Sequence, residues 1–316
     1  MNPSSFHVLV TAAHWAPEAQ AQVQAAGGQI HFMAEPITED HLIARLQETG
    51  AQVLLVRGIK PVSARVLQAA PALRLVAKNG AGVDGIDLDA ARARGVAVAV
   101  APGANARAVA EHAVAMMLSL TRQLPLLDRM VRAGQWAPST WQGRDFRDAT
   151  VGIIGYGAIG KGTAQLAAAL GARVLVLRPH GQADGFATEP DLHQFLPQVN
   201  ILSLHCPLTE RTRGLIGARE LALLPQGSIL INTARGPVVN EAALINALQT
   251  GHLDGAGVGG VDPDETAGLV ARPGRHRRLV DQALEGLDQR PLALEALRKL
   301  GILQPLARQV AEADEA

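Results

Sequence analysis

The stretch that most constrains this chain is Thr150–Gly160, TVGIIGYGAIG. Val151, Ile153 and Ile154 make a short apolar run of the buried-strand kind, closed by Gly155-Tyr156-Gly157-Ala158-Ile159-Gly160. The Ala- and Leu-rich run Lys161–Leu170 then predicts a helix, and Arg173–Leu177 a second strand. Strand, glycine turn and helix in this order are the context a dinucleotide-binding fingerprint requires. Gly155 allows the tight turn, Gly157 lets the backbone approach a pyrophosphate, and Gly160 lets helix pack on strand. The helix N-terminus adds free N–H groups and the positive end of a dipole. The bare pattern G-x-G-x-x-G occurs twice more, at Gly80–Gly85 and Gly255–Gly260. The first lacks a ribose-reading residue at the usual distance and the second runs into VDPDE with no helix, so neither qualifies.

Cofactor choice is read at the end of the second strand, where Asp or Glu accepts from a ribose 2′-hydroxyl and Arg accommodates a 2′-phosphate. Arg178 stands there, in LRPHG, and no acid precedes Asp184. This favours NADP(H), with NAD(H) as the alternative.

Composition narrows the class. The chain has 316 residues, long enough for two domains with separate cores. Twenty-nine basic and 29 acidic residues give zero formal charge, so no electrostatic case exists for nucleic acid or an anionic membrane. No apolar run approaches the ~20 residues that span a bilayer, and the first residues lack the basic-then-apolar pattern of a signal peptide. Cys206 is the only cysteine, which excludes an internal disulfide and fits a reducing cytoplasm. His205 beside it does not make a metal site, because neighbours on a strand point to opposite faces and no second pair exists; no metal is expected.

The first hundred residues alternate strands and helices. Strands are predicted over 6–10, 29–33, 53–56, 73–77 and 96–100, and helices over 17–26, 39–49 and 63–70. Such alternation argues an α/β fold with parallel sheets. Pro102-Gly103 punctuates the chain before a long amphipathic helix, Ala106–Leu120.

Collinear motifs now point to a family. LLVRG (54–58), NGAGVDGIDLDAA (79–91), PGANARAVAEHAVAMML (102–118), VGIIGYGAIGKG, SLHCPLTERTRGLIG (203–217) and INTARGPVVNEAAL (231–244) resemble the D-isomer-specific 2-hydroxyacid dehydrogenases, among them phosphoglycerate dehydrogenase and glyoxylate-hydroxypyruvate reductase. The resemblance covers about residues 50–258. It implies two Rossmann-like domains, the nucleotide domain (101–285) inserted into a discontinuous substrate domain (1–100 plus about 286–316). It implies hydride transfer between NAD(P)H and a small 2-oxo or D-2-hydroxy acid, in a homodimer that pairs through Ala106–Leu120 or Trp136–Trp141.

The resemblance also implies roles. Arg235, in NTARG, matches the catalytic arginine that binds the carboxylate and carbonyl of a 2-oxo acid, a task that suits a planar fork of donors. Arg57, Gly58 and the backbone of Gly80, Ala81 and Gly82 match a second carboxylate contact. Cys206, Pro207 and Thr212 match a loop along the cofactor, as do Thr233 and Ala234 in the arginine motif.

The resemblance breaks after about Val258. The family places an Asp at the strand end, a Glu in an E-P pair and a His in a P-H-x-G turn; here Gly259 stands for the Asp and Asp264 falls near the place of the Glu. The only later histidine is His276, among Arg272, Arg275, Arg277 and Arg278, whose charges lower its pKa unless a carboxylate compensates. His276 is the candidate proton donor and Asp264 its candidate partner. A solvated basic loop is the plainer reading of that cluster. The tail, Leu279–Ala316, has helical spacing and could return to the substrate domain; a local frame change after Val258 would equally explain the break. Two functions follow: an NADPH-preferring 2-hydroxyacid dehydrogenase, or a nucleotide-binding protein that has lost the acid–base pair.

Overall fold

A computed structural model describes residues 5–58, 60–80, 82–83, 85–137, 139, 141–259 and 268–271. They fall into two compact units, one running to Arg107 and the other starting at Ala108.

The first unit runs β1 (Phe6–Val10), α1 (Pro17–Ala25), β2 (Gly28–Phe32), α2 (Glu39–Thr49), β3 (Val53–Val56), α3 (Ala64–Ala69), β4 (Leu75–Lys78), α4 (Leu88–Ala93) and β5 (Ala97–Val100). All neighbouring strands pair in parallel, in the order β2-β1-β3-β4-β5. Strand periodicity divides the side chains between two layers. Leu9, Leu54, Val56 and Val76 pack with Leu42, Leu46, Val66 and Leu67 of α2 and α3 on one face. Val8, Val10 and Leu55 pack with Val23 of α1 on the other. The predicted strands are present, but β4 begins at Leu75 rather than at Leu73, which is a buried turn residue. Helix α4 is an addition to the predicted elements; it starts on Asp87, whose side chain caps Ala90 N.

The second unit is built on α5 (Ala106–Thr121) and α6 (Leu124–Arg132), then β6 (Thr150–Ile154), α7 (Ala158–Ala169), β7 (Arg173–Leu177), β8 (Ala187–Glu189), α8 (Leu192–Phe195), β9 (Ile201–Leu204), α9 (Ala218–Leu223), β10 (Ser228–Asn232), α10 (Glu241–Gln249), β11 (Leu253–Val258) and β12 (Gly268–Ala271). The sheet order is β12-β11-β10-β9-β6-β7-β8. Counted from β6, its six parallel strands take the doubly-wound order 3-2-1-4-5-6 of dinucleotide-binding folds, with β12 added antiparallel at the edge. Val151, Ile153, Ile229 and Ile231 face α5 and α7. Leu202, Leu204 and Leu230 face the layer of α8, α9 and α10. Strands covered on both faces read as continuous apolar runs, as β6, β9 and β10 do. The fingerprint-like Gly255 and Gly257 lie inside β11, where a Cβ on Gly257 would stand 2.9 Å from Ile231 Cδ1 and from Met116 Sδ. Both are strand residues, and Gly257 makes room for Met116 of α5.

The glycine turn after β6 divides its work as the sequence implies. Gly155 has φ +94°, and a Cβ on it would lie 2.4 Å from Cys206 N and 2.5 Å from the His205 carbonyl carbon. A Cβ on Gly160 would lie 2.0 Å from the Gly155 carbonyl oxygen, whereas one on Gly157 would meet nothing within 4 Å. Helix α7 starts at Ala158 rather than at Lys161, so the last three fingerprint residues are its first turn. We therefore expect Gly160→Ala to lose about 1–3 kcal/mol or more through overpacking. Gly157→Ala should stay within about 1 kcal/mol of the parent. Urea unfolding of both variants measures the difference.

Candidate active site

The carboxyl ends of β6 and β9 flank the point where strand order reverses, the place where α/β sheets of this kind bind ligands. His205 N donates to Ile154 O at 2.7 Å, extending the ladder until the turn at Gly155 meets Cys206. Helices α2, α3, α4, α8 and α10 begin on Thr38, Ser63, Asp87, Asp191 and Asn240, whose side chains each accept a backbone N–H. Helix α7 begins on Gly157 with no side-chain cap. Its first-turn amides at Ala158, Ile159 and Gly160, together with the open approach over Gly157, fit a dinucleotide pyrophosphate.

At the end of β7 the Arg178 guanidinium carbon lies 5.7 Å from the centroid of the Tyr156 ring, and Arg178 Nε donates to His180 O at 3.0 Å. The structure thus brings together Tyr156 and Arg178, which the sequence separates. It adds two groups that sequence spacing missed. Tyr156 Oη is 3.4 Å from Asp184 Oδ2, and Lys161 Nζ pairs with the same oxygen at 2.9 Å. Burial, with the Asp184 charge second, raises the Tyr156 pKa, so the phenol stays protonated at neutral pH.

The ends of β9 and β10 are tied by a polar chain. Ser203 Oγ lies 2.9 Å from His205 Nε2, and Thr233 Oγ1 lies 2.9 Å from His205 Nδ1. A neutral imidazole donates to one hydroxyl and accepts from the other. Asn232 Nδ2 donates to Arg235 O at 2.9 Å, and its Oδ1 accepts from Ala234 N at 3.0 Å. This clamp fixes the turn that carries Arg235, which is partly exposed and donates from Nη1 to Ala234 O at 2.7 Å. Thr212 Oγ1 donates to Pro207 O at 2.6 Å and accepts from Thr209 N at 2.8 Å, closing the loop after Cys206 on itself. Cys206 is buried, which pushes its thiol pKa up and keeps it protonated. Gly259 N donates to Asn232 O at 3.0 Å, so the end of β11 rests on the same asparagine.

In the first unit, Arg57 and Gly58 follow β3 and Gly80 follows β4, at the carboxyl ends of adjacent strands. Arg57 N donates to Thr11 Oγ1 at 2.9 Å and Arg57 Nη1 to His14 O at 3.2 Å. Lys78 Nζ donates to Gly58 O, and Gly58 and Gly80 have φ of +67° and +144°. Buried Lys60 pairs with Glu35 at 2.7 Å, holding the segment after β3. Gly82 lies in the loop that follows Gly80, while Ala81, Asp264, His276 and the 279–316 tail lie outside the described residues. Among the described residues no group of three or more His, Cys, Asp or Glu could hold a metal, and no helix is long and apolar enough to cross a membrane.

Desolvation drops the His205 pKa from 6.5 to about 4. The unfolded chain takes up a proton near pH 6.5 that the folded chain refuses. The neutral imidazole's contribution is therefore complete above pH 6.5 and is lost as pH falls toward 4, on the order of 3 kcal/mol in all. We expect His205→Gln to be less stable at neutral pH by about 1–3 kcal/mol and to lose about one proton from the slope of stability between pH 4 and 6.5. Urea midpoints across that range provide the check.

The model of the D-isomer specific 2-hydroxyacid dehydrogenase NAD binding domain matches residues 114–269. The chain is 40% identical over 245 residues to D-3-phosphoglycerate dehydrogenase of Mycobacterium tuberculosis, a match covering 76% of this chain and 46% of that protein. It thus spans about half the length of that relative. It is 38% identical over 226 residues to glycerate dehydrogenase of Methylorubrum extorquens, covering 70% of each. The crystal structure of the TT0316 protein from Thermus thermophilus aligns with a TM-score of 0.74 at 31% identity, covering 82% of this chain and 83% of that one. With its doubly-wound nucleotide unit, its uncapped glycine turn and these matches, the chain belongs to the D-isomer-specific 2-hydroxyacid dehydrogenase family.

Proposed function

We propose that this chain is an oxidoreductase that interconverts a small 2-oxo acid and its D-2-hydroxy acid, with NADPH preferred to NADH. The observation that carries the reading is the turn after β6, where Gly157 leaves room for a phosphate and no side chain caps α7. The names of the relatives, phosphoglycerate and glycerate dehydrogenase, support a 2-hydroxy acid as substrate class. Bound at this turn, the nicotinamide dinucleotide supplies the hydride.

The chain's own residues do the rest. The amides of Ala158, Ile159 and Gly160 hold the pyrophosphate, and Arg178 meets the 2′-phosphate. Cys206, Pro207, Thr212, Thr233 and Ala234 line the cofactor. Arg235 holds the substrate carboxylate and polarises its carbonyl, and the clamp from Asn232 keeps its backbone in place. Arg57, Gly58, Gly80, Ala81 and Gly82 offer a second contact to the carboxylate. His276 donates the proton, and Asp264 takes the part of the family's Glu. Losing a positioned acid costs about 10²–10⁴-fold, so a weakened pair leaves slow turnover. One observation favours the second reading, a binding protein without chemistry: β11 ends at Val258 and runs straight into Gly259, where the resemblance expects an Asp.

The domain division follows the resemblance: residues 1–100 with about 286–316 form the substrate domain, and 101–285 the nucleotide domain. Cytoplasmic location and a homodimer complete the proposal. Helix α5 buries Ala113, Val114, Met116 and Met117 in the core of its own unit, whereas Trp136 is 87% exposed. The Trp136–Trp141 segment is therefore the better pairing surface of the two candidates. Trp136→Ala should shift the dimer toward monomer in sedimentation velocity, and an unchanged profile rejects that surface.

Oxidation of NADPH and NADH with glyoxylate, hydroxypyruvate and pyruvate tests the activity. We expect turnover with at least one acid and its loss in His276→Ala. NADPH binding without any turnover favours the binding protein. Arg178→Asp should shift preference toward NADH by about tenfold or more, and an unchanged ratio rejects the NADPH assignment.

A further inference from the structure

We propose that Lys161 is a second cation for the adenosine 2′-phosphate, held in reserve by Asp184, so that this pair tunes the preference that Arg178 sets. The inference rests on the NADPH reading and adds to it two residues that the fingerprint does not name.

The geometry converges on Tyr156. Arg178 lies over the face of its ring, with the guanidinium carbon 5.7 Å from the centroid. At the hydroxyl end stands Asp184, 3.4 Å away, and Lys161 reaches the same carboxylate oxygen at 2.9 Å. Lys161 directly follows the last fingerprint glycine, and its amide donates to Gly157 O at 2.9 Å, so its stem rises from the end of α7 that faces the phosphates. The Asp184 carboxylate is presented by a rigid device. Asp184 and Gly185 have φ of +45° and +89°, and Phe186 N donates to Ala183 O at 2.8 Å. Those are the features of an Asp-Gly turn with two left-handed central residues. Buried Ala183 anchors it, and the chain enters β8 directly afterwards.

Charge supplies the second part of the argument. Arg178 and Lys161 contribute two positive charges against one from Asp184, whose carboxyl is held below its usual pKa first by the Lys161 hydrogen bond and then by the Lys161 charge. The Lys161 and Asp184 side chains are 48% and 56% exposed, and an ion pair so placed is worth little. A phosphate monoester carries about −1.5 to −2 charges at neutral pH and can draw the lysine away from a single carboxylate. NADH has a hydroxyl in that position. It gains nothing from Lys161, while Asp184 remains available to accept from the ribose. One ion pair therefore raises affinity for the phosphorylated cofactor without excluding the other.

The test measures binding rather than activity. Dissociation constants of NADPH, NADH and 2′,5′-ADP are determined by fluorescence and calorimetry for the parent, Lys161→Gln, Lys161→Arg, Asp184→Asn and Arg178→Asp. Urea unfolding of each variant verifies the fold. Lys161→Gln should weaken NADPH and 2′,5′-ADP by about tenfold and leave NADH within about twofold. Lys161→Arg should restore the loss, and Asp184→Asn should tighten 2′,5′-ADP by about threefold or more. Equal weakening of NADPH and NADH by Lys161→Gln would place the lysine on the shared phosphates and overturn the proposal, as would no change in either. If the parent itself favours NADH and Arg178→Asp changes nothing, the NADPH reading fails. If Arg178→Asp shifts the preference and Lys161→Gln does not, this inference alone fails.

Discussion

The backbone of Gly155 runs against the chain at His205 and Cys206, and the second unit depends on that approach. A single methyl at Gly155 would stand 2.4 Å from the Cys206 amide. The contact draws the ends of β6 and β9 together where the winding of the sheet reverses, and α7 rests directly on the Gly155 carbonyl. Several of the groups assigned to the nucleotide lie next to this point in the chain: the uncapped start of α7, the tyrosine that carries Arg178, and the loop after β9. Interiors this dense transmit a small displacement rather than absorb it. The end of β9 is therefore as much a part of the turn as its own glycines.

Much of this was legible in the sequence because the physics is local. Buried parallel strands leave apolar runs, and β1, β3, β6, β7 and β10 fall where those runs lie. The three glycines announce their tasks through spacing alone, and family membership follows from motifs in the right order. The short elements were harder. Helix α8 and strand β8 are four and three residues long, below the length at which a period can be read. The start of α7 was placed late because glycine and isoleucine are poor helix signals, although tertiary contact makes them its first turn.

The polar contacts were less legible, for a different reason. His205 looked like a dismissed metal ligand, yet its role is set by Ser203 two residues before and Thr233 on another strand. Asp184 lies beyond the spacing at which a ribose-reading acid is sought, and only the Asp-Gly turn folds it back toward Tyr156. In the sequence Asp184 stands only as the first acid after Arg178, although Asp-Gly is a turn signal. What it was turning toward depends on β7 and α7 lying side by side, which no local pattern states. Three-dimensional neighbours of this kind are the part of a site that linear spacing does not encode.

The ends of the large sheet bear on how copies of the chain can meet. One edge is β8, only three residues long, and the other is β12, four residues laid antiparallel against β11. Short outer strands offer few open amides and carbonyls to a strand from another molecule. Among the described residues the sheet thus presents little edge for lateral growth, and an antiparallel strand on a parallel array interrupts the repeat that a stacking neighbour would need to continue. The proposed homodimer would then meet through helices and loops, whose side chains can discriminate a partner in a way that bare backbone ladders cannot.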